Sequence, residues 1–150
     1  MKYDKENLVF EGLTTEHLPY FYAIRFSVTE NLVHSHQIQY LLREKAMADI
    51  NQGYGYICRY QNNYVAVGMG VFIPDALLAA LFVIPEMQNK GIGTDLLQRI
   101  TDKMFSQGVK EIALTTDHGS HAEQFYFKNG WSRSGNDEFN QLVMKKKQHI

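Results

Sequence analysis

Two glycines, Gly91 and Gly93, give the clearest sign of chemistry in the sequence. They follow an apolar run at residues 77–84 that predicts a buried strand, and they stand where a helical pattern begins. The first turn of a helix offers free backbone N–H groups and the positive end of the helix dipole, which favour an anion. Because glycine has no Cβ atom, phosphate oxygens could approach this backbone closely. Residues 88–94 therefore predict a site for a phosphate-bearing ligand.

Two known phosphate-binding patterns are not met by this segment. The phosphate loop of nucleoside triphosphatases places Lys-Ser or Lys-Thr after its last glycine, whereas Gly93 is followed by Thr94 and Asp95. A dinucleotide site would show three glycines and an acidic residue about 20 positions later. From these residues alone, an ordinary strand-to-helix turn is as good an interpretation as a ligand site.

Two longer segments resemble a known family. Residues 88–93, Gln-Asn-Lys-Gly-Ile-Gly, resemble the Gln/Arg-x-x-Gly-x-Gly/Ala signature of the GNAT superfamily, the acyl-coenzyme A-dependent N-acetyltransferases, and residues 81–86 are similar to the strand that precedes it. Residues 122–131 resemble that family's Ala-x-x-Phe-Tyr-x-x-x-Gly-Phe segment. Gly119 stands where the family often has an asparagine that binds the pantetheine arm, and Trp131 replaces the commoner phenylalanine. Two motifs in the family's order are far more specific than either alone.

The resemblance implies an acyltransferase that moves an acetyl group from acetyl-coenzyme A to a primary amine by direct attack. It implies that backbone N–H groups of Leu81, Phe82 and Val83 hold the thioester and the pantetheine. The diphosphate would lie on the residues of the glycine turn: Gln88, Asn89, Lys90, Gly91, Ile92, Gly93 and Thr94. An inactive acyl-coenzyme A sensor with the same fold is the alternative function.

Tyr126 matches the proton donor of the family and would also contact the cofactor. A phenol with a pKa near 10 could protonate a thiolate whose conjugate acid has a pKa near 8.5, above all in a dry site that favours neutral forms. Without the motif, packing beside Phe125 and Phe127 would be the better interpretation, since aromatic clusters usually belong to a core.

Glu30, which lies between two predicted helices and could reach the acceptor, is predicted as the general base. His34, His36 or a base acting through water are the alternatives, and each of these side chains more often caps or solvates a helix end. The histidines lack further ligands at zinc spacing, so no metal is predicted. Cys58 lies in an apolar strand and is interpreted as a core residue rather than as an acyl-carrying nucleophile.

The elements that must position these residues form an α/β sandwich, a GNAT-like fold in which helices flank a central mixed sheet, in one domain over residues 1–150. The predicted order is strand, two helices, three strands, helix, strand, helix and strand. The second helix spans residues 35–50, and the strand at 77–84 is expected to be buried on both faces. Residues 120–123, Ser-His-Ala-Glu, match a capping box that starts a short helix.

Composition narrows the function further. The 150 residues are 45% hydrophobic and 21% charged, with a formal net charge of -1. Nucleic-acid binding is not expected without a basic excess, and no apolar run approaches the roughly 20 residues of a membrane span. A single cysteine excludes an internal disulfide, and a cytoplasmic location is expected.

The acceptor amine is not identified by the sequence. Polar and aromatic residues of the helical N-terminal part would suit a small amine, a peptide or a protein terminus: Tyr20, Tyr22, Arg25, Glu30 and Tyr40. Because dimers are common in the GNAT family, the resemblance leaves a homodimer open.

Overall fold

A single seven-stranded sheet runs through the computed structural model, which describes residues 2–148. Its strands are β1 (Leu8–Gly12), β2 (Tyr54–Tyr60), β3 (Asn63–Val71), β4 (Leu77–Val83), β5 (Glu111–Thr116), β6 (Ser132–Asn136) and β7 (Leu142–Lys147). The helices are α1 (Leu18–Arg25), α2 (Ile38–Leu41), α3 (Arg43–Ile50), α4 (Ile92–Ser106) and α5 (His121–Lys128). The spatial order is β1-β2-β3-β4-β5-β7-β6, parallel between β4 and β5 and antiparallel elsewhere. The predicted mixed sheet flanked by helices is confirmed.

Two apolar cores lie on opposite faces of the sheet. On one face, α4 buries Leu96, Ile100 and Met104 among side chains of β2 to β5 and β7. On the other, α1 and α3 bury side chains such as Phe21 and Ile50 against β2 and β3. Within residues 2–148, none of the helices has the length and apolar character needed to cross a bilayer.

Helix α4 approaches β3 closely because β3 carries glycines on that face. A Cβ atom at Gly68 would lie 2.5 Å from Ile100 Cδ1, and one at Gly70 would meet Met104 Sδ. Larger residues at these positions would push the helix away from the sheet. This packing fixes the helix whose first turn carries the predicted anion site.

Two details differ from the sequence prediction. The helix expected over residues 35–50 is interrupted at Leu42, whose ψ of 140° is extended, so that a 3-10 turn, α2 and α3 replace it. The strand expected to be buried on both faces is only partly buried, since Ala79 is exposed and Leu81, Phe82 and Val83 are half-buried. The second difference has a cause in the sheet itself, because β4 loses its neighbour β5 partway along its length.

Cys58 is a core residue, as predicted. It lies fully buried in β2, and burial raises the pKa of its thiol to about 11. Because the thiolate is the nucleophilic form, a thiol that stays protonated near neutral pH is unsuited to carry an acyl group.

Candidate active site

Strands β4 and β5 diverge after one pairing. Within residues 2–148, the register between them is limited to Leu77 and Ala113, whose N–H donates to the Ala76 carbonyl at 3.1 Å. Beyond this pair, a cleft of about 940 Å³ opens between the strands, lined also by α1, the turn before α4, and α5. Such a divergence leaves backbone groups of β4 without the neighbouring strand that would otherwise pair them.

The open edge of β4 presents particular N–H groups to the cleft. The Ile84 N–H donates to Val65 O at 2.9 Å, so it faces β3. Successive N–H groups of a strand point to alternate sides, and the register between β3 and β4 is regular from Ala80 to Val83. The N–H groups of Leu81 and Val83 therefore point toward the cleft, whereas that of Phe82 points toward β3.

The turn that follows β4 is held by a side chain. A 3-10 turn at Pro85–Met87 leads to Gln88, whose Nε2 donates to the Val83 carbonyl at 3.0 Å. This hydrogen bond closes the turn back onto the end of β4. Gln88 therefore positions the loop with its side chain, and what it offers a ligand is its backbone.

Of the two glycines at the start of α4, only Gly91 has a backbone conformation that favours glycine. Gly91 is the N-cap, with a φ of +86° and open space around its missing Cβ atom. A Cβ at Gly93 would make ordinary contact with Phe125, 3.5 Å from Cζ. Glycine is thus required conformationally at Gly91, while Gly93 has room for an alanine. The N–H groups of the first turn of α4 have no acceptor within the helix, and the residues of this turn line the cleft.

The charges around this turn favour an anion. Lys90 is the charged residue among residues 88–94, and its ammonium lies 5.5 Å from the centre of the Tyr3 ring, away from the cleft wall. The nearby carboxylate of Asp95 pairs with Arg99 at 2.8 Å. With that carboxylate paired, the positive end of the helix dipole is not opposed by a free negative charge in the first turn.

Helix α5 brings Tyr126 to the cleft. Half of the predicted capping box is formed: Ser120 Oγ accepts from the Glu123 N–H at 3.2 Å, whereas Glu123 Oε1 accepts from the N–H of Gly119, at 2.9 Å, rather than from that of the N-cap residue Ser120. Tyr126 itself is 7% exposed, with its ring edge-on to those of Phe125 and Trp131. The two interpretations of this residue are therefore compatible, since its ring packs in the core while the residue lines the cleft.

The Tyr126 hydroxyl is suited to donate a proton. Burial raises the pKa of this phenol far above its ordinary value, so it is neutral at physiological pH. Within residues 2–148 no hydrogen bond joins its hydroxyl to another group, so the O–H remains available to a ligand.

Glu30 also lines the cleft, but its carboxylate is already engaged. It pairs with His121 Nδ1 at 2.7 Å and accepts from the His121 N–H at 3.3 Å, at the first residue of α5. This is the helix-capping role that the sequence offered as an alternative. The side chain is 42% exposed, so its other carboxylate contacts are with solvent.

The two other base candidates sit in a polar network beside the cleft. His34 Nε2 lies 2.9 Å from Asp117 Oδ1, and His36 Nε2 lies 3.1 Å from Gln141 Oε1 while its ring stacks on Phe139. Among residues 2–148, no group of three or more His, Cys, Asp or Glu side chains could hold a metal ion.

The structure brings nearly all predicted site residues to one place. Every one of them except Lys90 lines the cleft. Of the proposed acceptor-side residues, Arg25, Glu30 and Tyr40 line it, whereas Tyr20 stacks on Tyr64 and the Tyr22 hydroxyl donates to Leu41 O at 2.6 Å.

The sequence analysis missed the segment at residues 137–141, which closes one side of the cleft. It carries no motif, and it reaches the site through the pairing of β6 with β7.

Comparisons with known proteins bear on the family and the fold. Residues 13–131 match the model of the acetyltransferase (GNAT) family. No curated protein sequence matches the chain significantly. PaiA N-acetyltransferase of Thermoplasma acidophilum, in complex with coenzyme A, has a TM-score of 0.79 and 21% identity over 94% of this chain and 99% of its own.

Two further solved structures share the fold. Naa50 of Arabidopsis thaliana, bound to the bisubstrate analogue CoA-Ac-MVNAL, has a TM-score of 0.74 and 18% identity over 95% of this chain and 99% of its own. N-acetylglutamate synthase of Neisseria gonorrhoeae, complexed with coenzyme A and N-acetyl-glutamate, has a TM-score of 0.73 and 16% identity over 95% of this chain and 35% of its own. At these identities the likeness shows the fold.

Proposed function

The chain belongs to the GNAT acetyltransferase family, and we propose that it transfers an acetyl group from acetyl-coenzyme A to a primary amine by direct attack. The observation that carries the proposal is that residues of the open edge of β4, the first turn of α4 and Tyr126 line one cleft. Solved relatives by fold hold coenzyme A, which supports the same donor here.

The donor side of the cleft fits coenzyme A by its chemistry. The free N–H groups of the first turn of α4, behind the left-handed Gly91, would hold the diphosphate. The N–H groups of Leu81 and Val83 would bind the pantetheine and the thioester oxygen, since they point into the cleft and lack a strand neighbour. Gln88 would hold the turn before α4 against the end of β4 through its hydrogen bond to the Val83 carbonyl. The proposed diphosphate and pantetheine sites would thereby keep their relative positions.

Bound acetyl-coenzyme A supplies an acyl group activated as a thioester. In the transfer, the amine nitrogen bonds to the carbonyl carbon, the bond from carbon to sulfur breaks, and the sulfur takes a proton. Tyr126 would donate that proton, because its neutral hydroxyl lies in the cleft without another partner. The proton lost by the amine passes to a base.

We propose Glu30 as that base because its carboxylate lines the cleft at the acceptor end, beside α5. Glu30→Gln keeps an acceptor for the His121 N–H but removes the basic oxygen. We expect this change to lower kcat/KM about 100-fold near neutral pH, as general bases contribute about 10² to 10⁴-fold. Steady-state kinetics with a saturating acceptor would measure it.

His121→Ala is the matched control for Glu30→Gln. It breaks the same exposed ion pair while leaving the carboxylate in place, so kcat/KM should change by less than about threefold, the scale of one surface pair. Equal losses in the two variants would show that Glu30 acts through its contact with the His121 side chain and not as the base.

The proposed function itself is tested in two steps. Calorimetric titration with acetyl-coenzyme A measures donor binding, and release of free thiol in the presence of a panel of primary amines measures transfer. Binding together with amine-dependent thiol release is the expected result. Binding without release for any amine would favour the acyl-coenzyme A sensor, and absence of binding by the folded protein would overturn the donor assignment.

A further inference from the structure

We infer that Arg25 anchors a carboxylate of the acceptor, so that the substrate is an amine that also carries a carboxylate group. The inference rests on the proposed function and adds the class of acceptor to it. It starts from the Arg25 side chain, which has no ion-pair partner among residues 2–148 and no role in the proposed donor site.

Arg25 is a buried cation without a counter-ion. It is 8% exposed at the end of α1, and no other Lys or Arg side chain among residues 2–148 is as deeply buried. None of the ion pairs formed within these residues includes it. Its Nη1 atom is buried without a hydrogen-bond partner. An unpaired guanidinium is costly to bury, and a fitting anion would remove that cost.

The carboxylate whose charge reaches Arg25, that of Asp117, forms no ion pair with it and is engaged by His34 and Gln141, so a closer anion has to come from a ligand. The Phe82 ring lies 4.2 Å from the guanidinium carbon and covers one face of the group. Burial lowers the pKa of Arg25, and the charge of Asp117 partly offsets this effect. An arginine nevertheless stays charged at neutral pH, and its planar donors match a carboxylate in two parallel hydrogen bonds.

The position of Arg25 relates it to the reaction. Its neighbour Phe82 stands between Leu81 and Val83, whose N–H groups face the donor channel. Arg25 and these strand residues line the same cleft, so a group held at Arg25 shares the cleft with the acyl group. The acceptor should therefore carry its carboxylate and its amine in one molecule that fits the cleft, as an amino acid or an acidic peptide terminus does.

The same cleft offers groups for the other end of such an acceptor. Glu30 lines it at the start of α5, so the cleft contains a negative charge there while Arg25 supplies a positive one. An acceptor with both an ammonium and a carboxylate is complementary to this pair of charges. A polyamine, by contrast, would place a cation where Arg25 already stands.

The test compares matched amines on matched variants. Each amino acid is assayed beside the amine that decarboxylation would leave, and a peptide with an N-terminal aspartate beside one with asparagine, by acetyl-coenzyme A-dependent thiol release. We expect wild type to prefer the carboxylate-bearing member about 100-fold in kcat/KM, the effect of one charge-assisted pair. The peptide pair distinguishes a free amino acid from a protein terminus.

Arg25→Met replaces the guanidinium with an apolar chain of similar shape. It should remove the preference by lowering kcat/KM for the carboxylate-bearing member alone, and acetyl-coenzyme A should bind as before. Because an unpaired buried charge is lost, the melting temperature should stay equal or rise. Equal losses for both members of each pair, or a lower melting temperature together with an unchanged preference, would show a structural role and overturn the inference.

A binding measurement keeps the inference testable if no amine is acetylated. Thermal shifts by the same amines, with coenzyme A present, should show carboxylate-dependent stabilisation of wild type that Arg25→Met lacks. In that case transfer fails while the acceptor class stands. If decarboxylated amines are turned over as well as amino acids by wild type, transfer stands and the role of Arg25 is wrong.

Discussion

Gly91→Glu should weaken acetyl-coenzyme A binding at least about 100-fold, a loss of about 2.7 kcal/mol. The substitution places a carboxylate at the N-cap of α4, where the diphosphate is proposed to lie, and charges of one sign at about 4 Å repel by about 1 to 4 kcal/mol in surroundings between water and a protein surface. Nothing lies within 4 Å of the missing Cβ atom, so the side chain fits without a clash. Calorimetric titration with acetyl-coenzyme A measures the loss.

The control must separate repulsion from backbone strain. Any side chain at the φ of +86° is strained, and this costs about 1–2 kcal/mol of stability. Gly108, after the other end of α4, has a φ of +92° and equally open space. Gly108→Glu should therefore lower the free energy of unfolding by a similar amount and leave the dissociation constant of acetyl-coenzyme A unchanged.

Gly91→Ala completes the comparison, since it adds the strain without the charge. Binding close to that of wild type in Gly91→Ala, with a large loss in Gly91→Glu, is the expected pattern. If Gly91→Glu binds as tightly as Gly108→Glu, the diphosphate lies elsewhere and the assignment of residues 88–94 is wrong.

The features that the sequence predicted are those encoded locally. The start of α4 at the two glycines and the N-cap of α5 at Ser120 are each formed by residues a few positions apart, so the residue types alone indicate where these helices begin. The position of Tyr126 in the cleft agrees with the expectation from the family motif, and the helix that carries it begins at the predicted residue.

The features that the sequence could not predict depend on contacts between distant segments. Residues 77–84 have the composition of a fully buried strand, and only the divergence of β4 from β5 leaves it partly exposed. The interruption at Leu42 occurs without a glycine or proline to mark it. Arg25 shares the inward face of α1 with Leu18 and Phe21, a spacing that would have indicated burial, but its lack of a partner is visible only in the folded chain.

Tyr126→Phe should lower kcat about 100-fold while leaving acetyl-coenzyme A binding and the melting temperature nearly unchanged. Phenylalanine keeps the ring contacts with Phe125 and Trp131, and the hydroxyl that it lacks makes no hydrogen bond within residues 2–148. The change therefore removes a proton donor without disturbing the core. Single-turnover kinetics at saturating acetyl-coenzyme A measures the chemical step apart from product release.

The raised pKa of Tyr126 sets the expected pH dependence. In water a phenol is a weaker acid than a thiol, and burial makes Tyr126 weaker still, so it would protonate the sulfur only as the bond to carbon breaks. The same dry surroundings also disfavour the leaving thiolate, which brings the two groups closer in proton affinity. Because the phenol stays protonated up to pH 10 and beyond, wild-type kcat should show no fall between pH 7 and about 9 from this group.

Tyr22→Phe is the control with the opposite pattern. The Tyr22 hydroxyl donates to Leu41 O at 2.6 Å and the residue does not line the cleft, so its loss should cost about 1 kcal/mol of stability and leave kcat unchanged. A Tyr126→Phe variant that keeps wild-type kcat would mean that solvent protonates the sulfur. The buried ring of Tyr126 would then have only its packing role, and the cleft would need no acid of its own.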